Sequence, residues 1–274
     1  MIIKDISEIK TGMTQSFKYT PINKGSVGSN ELLKLCEVKQ IDKNIAAIAK
    51  YLYKFKCAPI DYLCEDLGIE EKDKYFGKMM YLTEKRIFNA FVLTDSNDPF
   101  DTKDHNLVFF TLDYGALFLL RAIDDDENIE NWKAIDVIMT GLKVKKTIML
   151  LDFYRKIRSD CEYFIPYRLF LSYGARIRTR AMFKAKPDSK LSEKLPGINL
   201  VEIVSIDDIF EDNTTNMVEK IHSYEKLLCT DGWSYDGLEE VPTLIILGDS
   251  PNSLKRIKEQ ISDTKIEKIK YMQY

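Results

Sequence analysis

The sequence predicts an α+β protein with two domains: a helical domain that carries a β-hairpin, and a second domain of α/β type. In the first domain, three helical patterns precede two strand-like runs and a short helix, all between residues 44 and 122. In the second, strand and helix patterns alternate from residue 199, which is typical of a sheet covered by helices. An acidic segment without apolar periodicity, residues 123–131, marks a boundary. We therefore assign four regions: an N-terminal arm (1–43), the first domain (44–122), a helical connector (123–160) and the second domain (161–274).

The arm contains a Gly- and Ser-rich run, NKGSVGSN at residues 23–30, which is typical of a flexible segment. Two other interpretations are open. The arm is either an ordered extension that packs on the first domain, or a segment that contacts the DNA minor groove or a second copy of the chain.

The third helical pattern carries the main candidate binding surface. It begins near Glu70, after patterns over residues 44–55 and 59–67, and Gly68 ends the second of these. At helical spacing, one face holds three lysines and a tyrosine: Lys74, Lys78, Tyr81 and Lys85. The opposite face holds apolar residues and a threonine: Phe76, Met80, Thr83 and Ile87. A cationic face with an aromatic tip suits phosphates and base edges, so the pattern predicts a DNA-contacting helix.

A β-hairpin follows this helix. The runs IFNAFVL (87–93) and NLVFFTL (106–112) are rich in β-branched and aromatic residues, and a polar segment separates them. The next run, LDYGALFLL (112–120), predicts a short helix that covers the hairpin edge. Three helices followed by such a hairpin constitute a winged helix, in which the polar segment is the wing.

This succession resembles the winged-helix part of the replication-relaxation family of plasmids and other mobile elements. The resemblance rests on AIAKYLYKFKCAPIDYLCEDLGI, KMMYLTEKRIFNAFVL and FFTLDYGALFLL, and is strongest at the Tyr114-Gly115-Ala116 turn. It implies a DNA-binding protein that acts in replication, its control or mobilisation. The family usually has Gly where the recognition helix meets the wing, whereas this chain has Arg86, which we include among the candidate DNA contacts.

Charge is strongly segregated along the second half of the chain, although the formal net charge is only −3. Residues 143–187 contain twelve Lys and Arg against three acids, and residues 188–252 contain fourteen acids against four Lys. Within the basic part, the alternating Arg176, Arg178 and Arg180 indicate a second phosphate-contacting surface, on a strand or a helix. The alternative is that these arginines pair with the acidic part.

The second domain also resembles the nuclease-like C-terminal domain of the same family, which is similar to restriction-endonuclease-like folds. The resemblance implies that Asp188 and Glu202 stand where such nucleases hold Mg²⁺. The lysine expected two residues after the second acid is Val204 here, and Lys220 on the following helix is its only candidate replacement. The three residues therefore predict a vestigial site, a protein without cleavage activity and no cofactor. Mg²⁺ is expected only if the chain is an active nuclease.

Other classes of protein lack support in the sequence. The five cysteines are scattered without a C-x-x-C pair, and two histidines give no zinc pattern. No apolar run approaches the ~20 residues of a membrane span, and the N-terminal residues lack the apolar core of a signal peptide. These features predict a cytoplasmic protein without membrane contact.

Three functions follow from these patterns. The first is a DNA-binding protein of a plasmid, phage or conjugative element, whose partners are double-stranded DNA, replication or conjugation proteins and a second copy of the chain. The second is a Mg²⁺-dependent nuclease that the winged helix directs to DNA. The third is a protein-interaction module, which is favoured if residues 1–43 cover the lysine face.

Overall fold

The computed structural model describes residues 8–10, 12–21, 28–95, 99–100, 107–123, 137–172, 175–206 and 214–274. The chain divides into two compact units, residues 1–148 and 149–274, and the division falls inside the segment assigned to the connector. Helices and several sheets are mixed, in agreement with the predicted α+β class. Among the described helices, none has both the length and the apolar character needed to cross a membrane.

Unit 1 builds its helices around one antiparallel sheet. Its elements are β1 (Thr14–Phe17), α1 (Ser29–Glu37), α2 (Lys43–Phe55), β2 (Cys57–Pro59), α3 (Ile60–Leu67), α4 (Lys72–Glu84), β3 (Phe88–Thr94), β4 (Phe109–Leu112) and α5 (Tyr114–Ile123). The strand order in the sheet is β1-β3-β4-β2. The next helix, α6 (Gly141–Ile157), contains the division between the units.

Local signals explain where the helices of unit 1 begin and end. Asp42 caps α2 by accepting hydrogen bonds from the amides of Asn44 and Ile45. Gly68 ends α3 in the left-handed conformation, as the sequence predicts. Pro59, the first residue of the predicted pattern over 59–67, lies just before α3, as its cap and as the last residue of β2. Its fixed φ is compatible with both roles.

The predicted hairpin is present. β3 and β4 pair antiparallel, from Phe88 opposite Leu112 to Phe91 opposite Phe109, and the last two rings stack with centroids 5.2 Å apart. The short strand β2 pairs with the outer side of β4. Most of the predicted wing, residues 96–98 and 101–106, lies outside the described residues.

Part of the predicted arm is an ordered extension. β1 pairs antiparallel with β3, with Thr14 opposite Thr94 and Phe17 opposite Phe91, and so adds a fourth strand to the sheet. The helix α1 follows. Of the Gly- and Ser-rich run predicted to be flexible, residues 23–27 lie outside the described residues, and Ser29 and Asn30 begin α1.

Unit 2 contains a five-stranded mixed sheet and a separate two-stranded sheet. Its elements after α6 are β5 (Cys161–Pro166), β6 (Leu169–Ser172), β7 (Ala175–Arg178), β8 (Ala181–Ala185), α7 (Lys190–Lys194), β9 (Ile198–Val204), α8 (Thr214–Leu228), α9 (Gly232–Tyr235), β10 (Thr243–Gly248), α10 (Pro251–Gln260) and β11 (Ile269–Gln273). The large sheet has the order β11-β10-β9-β8-β5. β9, β10 and β11 are parallel, whereas β8 is antiparallel to β9 and β5 to β8.

The strand and helix predictions from residue 199 onward agree with this sheet. β9 and β10 are almost fully buried apolar strands, and α8 packs Ile221, Tyr224 and Leu227 into the same core as Leu200 of β9. Arg176 and Arg178, for which strand and helix were both open, lie on β7 in the two-stranded sheet formed with β6.

Candidate functional site

The lysine face of α4 is only partly exposed. The buried residues of α4 are Tyr75, Met79, Leu82 and Thr83, so the inward face is turned by about one residue from the predicted one. Phe76 and Met80, expected on the buried face, are only half-buried. The Lys74 side chain is 53 % exposed, but that of Lys78 only 16 %. Of the predicted contacts on this helix, Lys74 and Tyr81 are exposed.

Lys78 belongs to a network that fixes the start of α2. Its Nζ lies 2.6 Å from Asp42 Oδ2 and donates to the carbonyl of Lys39 at 2.9 Å. Tyr75 also donates to Asp42, at 2.9 Å. Burial raises the pKa of the Asp42 carboxyl, but the hydrogen bonds from Lys78, Ile45 and Tyr75 outweigh this and hold the pKa below its ordinary value. Lys78 therefore has a structural role on the predicted DNA-binding face.

Residues of the N-terminal region contact the end of α4 as well. Lys85 Nζ lies 3.2 Å from Glu31 Oε1 of α1, and Arg86 donates to the carbonyl of Thr20 at 2.6 Å. Lys74 pairs within its own turn, at 2.6 Å from Glu71. Each of the four cations predicted on this face thus has an oxygen partner, and residues 20–42 supply partners for three of them.

Arg86 occupies the junction at which the resembling family usually has Gly. Its φ is 60°, in the left-handed region that disfavours residues with a side chain. Its Nε lies 3.1 Å from Oδ2 of Asp113, which is 2 % exposed. The ion pair with this buried carboxylate is an attraction that a glycine at position 86 would lack, and it acts against the backbone strain.

Gly115 completes the same junction. Its amide donates to the carbonyl of Arg86 at 2.9 Å, and a Cβ at this position would lie 2.8 Å from that carbonyl oxygen. The α5 helix can therefore approach the α4–β3 turn only with glycine here. The Tyr114-Gly115-Ala116 turn therefore needs a glycine at its second position.

The two-stranded sheet of unit 2, which we call the ribbon (residues 169–172 and 175–178), sorts its side chains by face. Phe170 and Ile177, opposite each other, are 0 % and 2 % exposed and belong to the core of unit 2. Arg176 lies opposite Leu171 and Arg178 opposite Leu169 on the other face. Both arginines are exposed, and neither has an ion pair or hydrogen bond from its guanidinium within the described part of the chain.

Arg180 does not share this surface, contrary to the prediction that groups it with Arg176 and Arg178. The chain leaves the ribbon at Thr179, and the Arg180 amide donates to Val201 of β9 at 3.0 Å. The Nε atom of Arg180 is buried and has no hydrogen-bond partner among the residues that the structure describes. The alternation of arginines stops at this point because Arg180 enters the large sheet.

A buried carboxylate lies next to Arg180. Glu202 on β9 is 0 % exposed. Lys220 Nζ lies 2.7 and 2.8 Å from its two oxygens, and Tyr224 donates to Oε1 at 2.6 Å. Lys220 and Tyr224 are four residues apart on α8 and so share one face of the helix. The structure thus brings Glu202 and Lys220 together, as the nuclease resemblance requires.

This cluster suits electrostatic stabilisation of the core more than proton transfer. Burial raises the pKa of the Tyr224 hydroxyl well above its ordinary value, and the adjacent Glu202 carboxylate raises it further. Tyr224 therefore stays protonated and donates to Glu202 at neutral pH. A pair of charge-assisted hydrogen bonds compensates the burial of the carboxylate.

Asp188 lies away from this cluster. It is exposed, has a φ of 63° and follows the end of β8. Lys184 of β8 pairs with Ile198 and the two strands are antiparallel, so the chain leaves β8 toward Asp188 in the direction away from Glu202. The four residues from Ile198 to Glu202 alone span ~13 Å of strand. Nearer to Glu202 the chain places Thr179 and Arg180, a hydroxyl and a cation. The prediction that Asp188 and Glu202 share a metal shell does not fit this register.

The residues at Glu202 do not fit a Mg²⁺ site. Among the described residues, Glu202 is the one carboxylate of this cluster, and both of its oxygens already contact Lys220 or Tyr224. Mg²⁺ is usually held by carboxylates in octahedral geometry, and an arginine beside the site repels it. Within the described residues, no group of three His, Cys, Asp or Glu side chains is placed to hold a metal ion.

Two features of the candidate sites were not predicted from the sequence. The roles of Thr179 and Arg180 depend on the point where the chain passes from the ribbon to β8, which no local pattern marks. The partners of the α4 lysines were missed too, because they lie far away in sequence; Lys85 and Glu31 are 54 residues apart.

Comparisons with known proteins give no relative for the chain. No family model matches it, and neither the curated proteins nor the solved structures contain a significant match.

Proposed function

We propose that the chain is a double-stranded DNA-binding protein whose residues 43–123 form a winged helix. The observation that carries the proposal is the arrangement of β2, α3, α4, β3 and β4. The short strand before α3 pairs with the second strand of the hairpin, and α3 and α4 lie between them in the sequence. In helix-turn-helix proteins the second helix of the motif enters the major groove, and here that helix is α4.

The surface of α4 supports this role through its exposed residues. The side chains of Lys74 and Lys85 are 53 % and 36 % exposed, and the residue Tyr81 is 38 % exposed. The Lys85 Nζ lies 5.9 Å from the centroid of the Tyr81 ring. Their ion pairs are exposed and therefore weak, so phosphates can replace the carboxylates at little cost. The role in a plasmid, phage or conjugative element, in replication, its control or mobilisation, is supported by the sequence resemblance alone.

Binding to a labelled DNA duplex, measured at low salt, tests the proposal. We expect the Lys74→Glu/Lys85→Glu variant to bind at least tenfold more weakly at low salt. Two lost phosphate contacts should also reduce the slope of log K against log salt by ~1.8. The control is Lys43→Glu/Lys50→Glu on α2, which changes the net charge equally. Equal binding by both variants, or no binding by the wild type, would contradict the proposal.

A second candidate function is a protein-interaction module. It is favoured by the contacts from Thr20, Glu31, Lys39 and Asp42, because they cover cations that DNA would need. The Glu31→Gln variant separates the two functions. If α4 binds DNA, freeing Lys85 should raise the affinity for the duplex about two- to fivefold; if α4 binds a protein, duplex binding should not change.

The nuclease function has less support. The Glu202 and Lys220 contact agrees with the nuclease-like resemblance, but within the described residues no second carboxylate joins the site. We therefore propose that unit 2 has a nuclease-like arrangement that serves for binding.

A further inference from the structure

The ribbon of unit 2 carries two cations that are unpaired within the described residues, and they lie beside an exposed apolar surface. Arg176 and Arg178 point outward from one strand, whereas Lys184 on β8 of the same unit pairs with Glu162 at 3.6 Å and with Glu239 at 4.0 Å. Acidic groups are therefore available in this unit, yet within the described residues none of them contacts the two arginines. Within that part of the chain, no acid neutralises their charge.

The spacing of the arginines suits a polymer of phosphates. Residues two apart on a strand are separated by ~6.6 Å and point to the same side. This is comparable to the distance between successive phosphates along a nucleic-acid strand. A guanidinium binds phosphate oxygens with two parallel hydrogen bonds, so each arginine can hold one phosphate.

Apolar groups lie next to these cations. Leu171, directly across from Arg176, is 60 % exposed, and Tyr235 at the end of α9 is 78 % exposed. The Leu171 amide donates to Asp236 Oδ1 at 3.1 Å, which fixes α9 and its tyrosine beside the ribbon. Exposed aromatic and aliphatic side chains beside arginines allow unpaired bases to stack while the backbone is neutralised. A duplex keeps its bases stacked inside, and an acidic peptide has no bases to stack.

We infer that the outward face of the ribbon, formed by Arg176, Arg178, Leu171 and Tyr235, binds single-stranded nucleic acid. The two arginines neutralise successive phosphates, and Tyr235 stacks on a base. This surface lies in unit 2 and does not depend on the duplex-binding role proposed for α4.

Fluorescence anisotropy of the full chain with labelled oligodeoxythymidylate of about 15 nucleotides tests the inference. We expect the wild type to bind at low salt and Arg176→Ala/Arg178→Ala to bind at least tenfold more weakly. Two lost phosphate contacts should reduce the slope of log K against log salt by ~1.4. Arg176→Lys/Arg178→Lys should retain the wild-type slope. Tyr235→Ala should weaken binding about tenfold with no change in slope, because stacking releases no counterions.

The Lys226→Ala/Lys255→Ala variant is the control for loss of charge, because it removes two exposed cations from α8 and α10 of the same unit. This variant should bind within about twofold of the wild type. The Lys74→Glu/Lys85→Glu variant should still bind the oligonucleotide, so failure of the duplex proposal is recognised separately.

Three results would overturn the inference. The wild type does not bind the oligonucleotide, the ribbon variants bind as the wild type does, or the control weakens binding as much as the ribbon variants. Displacement by polyglutamate as effective as displacement by unlabelled oligonucleotide would identify an acidic protein as the partner instead.

Discussion

The α4 face of unit 1 and the ribbon of unit 2 are both basic in sequence, but their cations have different surroundings. Lys74, Lys78, Lys85 and Arg86 each contact a carboxylate or carbonyl oxygen, whereas Arg176 and Arg178 have no such contact within the described residues. A cation that stabilises the fold is partly neutralised before any ligand arrives. The comparison shows that a basic run in a sequence measures total charge, while the available charge depends on tertiary partners.

The comparison predicts that removing a paired cation lowers stability and removing an unpaired one does not. Lys220→Met should have the largest effect, because it leaves the buried Glu202 with Tyr224 as its remaining donor. We expect the free energy of unfolding, measured in urea, to fall by ~2–3 kcal/mol. Lys226→Met, on the exposed side of the same helix, should change it by less than ~0.5 kcal/mol. Equal values for the two variants would refute a stabilising role for the pair.

Gly115→Ala should have the next largest effect, and it separates backbone packing from charge pairing at Arg86. The added Cβ would lie 2.8 Å from the Arg86 carbonyl oxygen and 3.1 Å from the Ile87 Cα, both backbone atoms. We expect a loss of ~1–3 kcal/mol in thermal or urea unfolding. The control is Gly77→Ala, because open space surrounds that position inside α4, and it should stabilise by ~0.5–1 kcal/mol. If Gly115→Ala does not change the free energy of unfolding, α5 is free to move away from this turn.

Lys78→Met should have a smaller effect that depends on pH. The pair with Asp42 is partly buried, and its loss should cost ~0.5–1 kcal/mol at pH 7. Because the folded-state pKa of Asp42 is lowered, its stabilisation is present above the ordinary value of 3.8 and is lost as the pH falls through the lowered value. The stability difference between wild type and variant should therefore shrink below pH 3.8. A difference that is constant down to the acid transition would assign the effect to packing of the lysine stem.

Arg176→Ala/Arg178→Ala should have the smallest effect on stability, less than ~0.5 kcal/mol in urea unfolding. The side chains are exposed and lack oxygen partners within the described residues. A loss similar to that of Lys78→Met would show that the ribbon arginines are structural, and the difference between the two regions would disappear.

Local patterns were sufficient to predict much of the fold. Apolar periodicity located α2, a glycine located the end of α3 at Gly68, and the apolar runs located the hairpin and the alternation of strands and helices after residue 199. Such features depend on neighbours within a few residues. The strand β2 was missed because three residues between two helices form a strand only when β4 is beside them.

The candidate sites were predicted less well because they depend on distant contacts. The proximity of Lys220 to Glu202 was anticipated, because the helix that follows a buried strand packs over that strand. The position of Asp188 was not, because the register of β8 on β9 decides which end of the strand meets the acid. The ion pair of Lys78 with Asp42 was not predicted, because no local pattern links two residues that are 36 positions apart.

The four residues of β1 have a consequence for handling the protein. All seven residues of β3 are buried, and β1 occupies the side of β3 that β4 leaves open. The opposite edge of the sheet is β2, which is short and contains Pro59. A shortened chain that begins after residue 21 would expose an apolar strand with unpaired amides and carbonyls. Such an edge recruits strands from other molecules, so truncation there should promote aggregation.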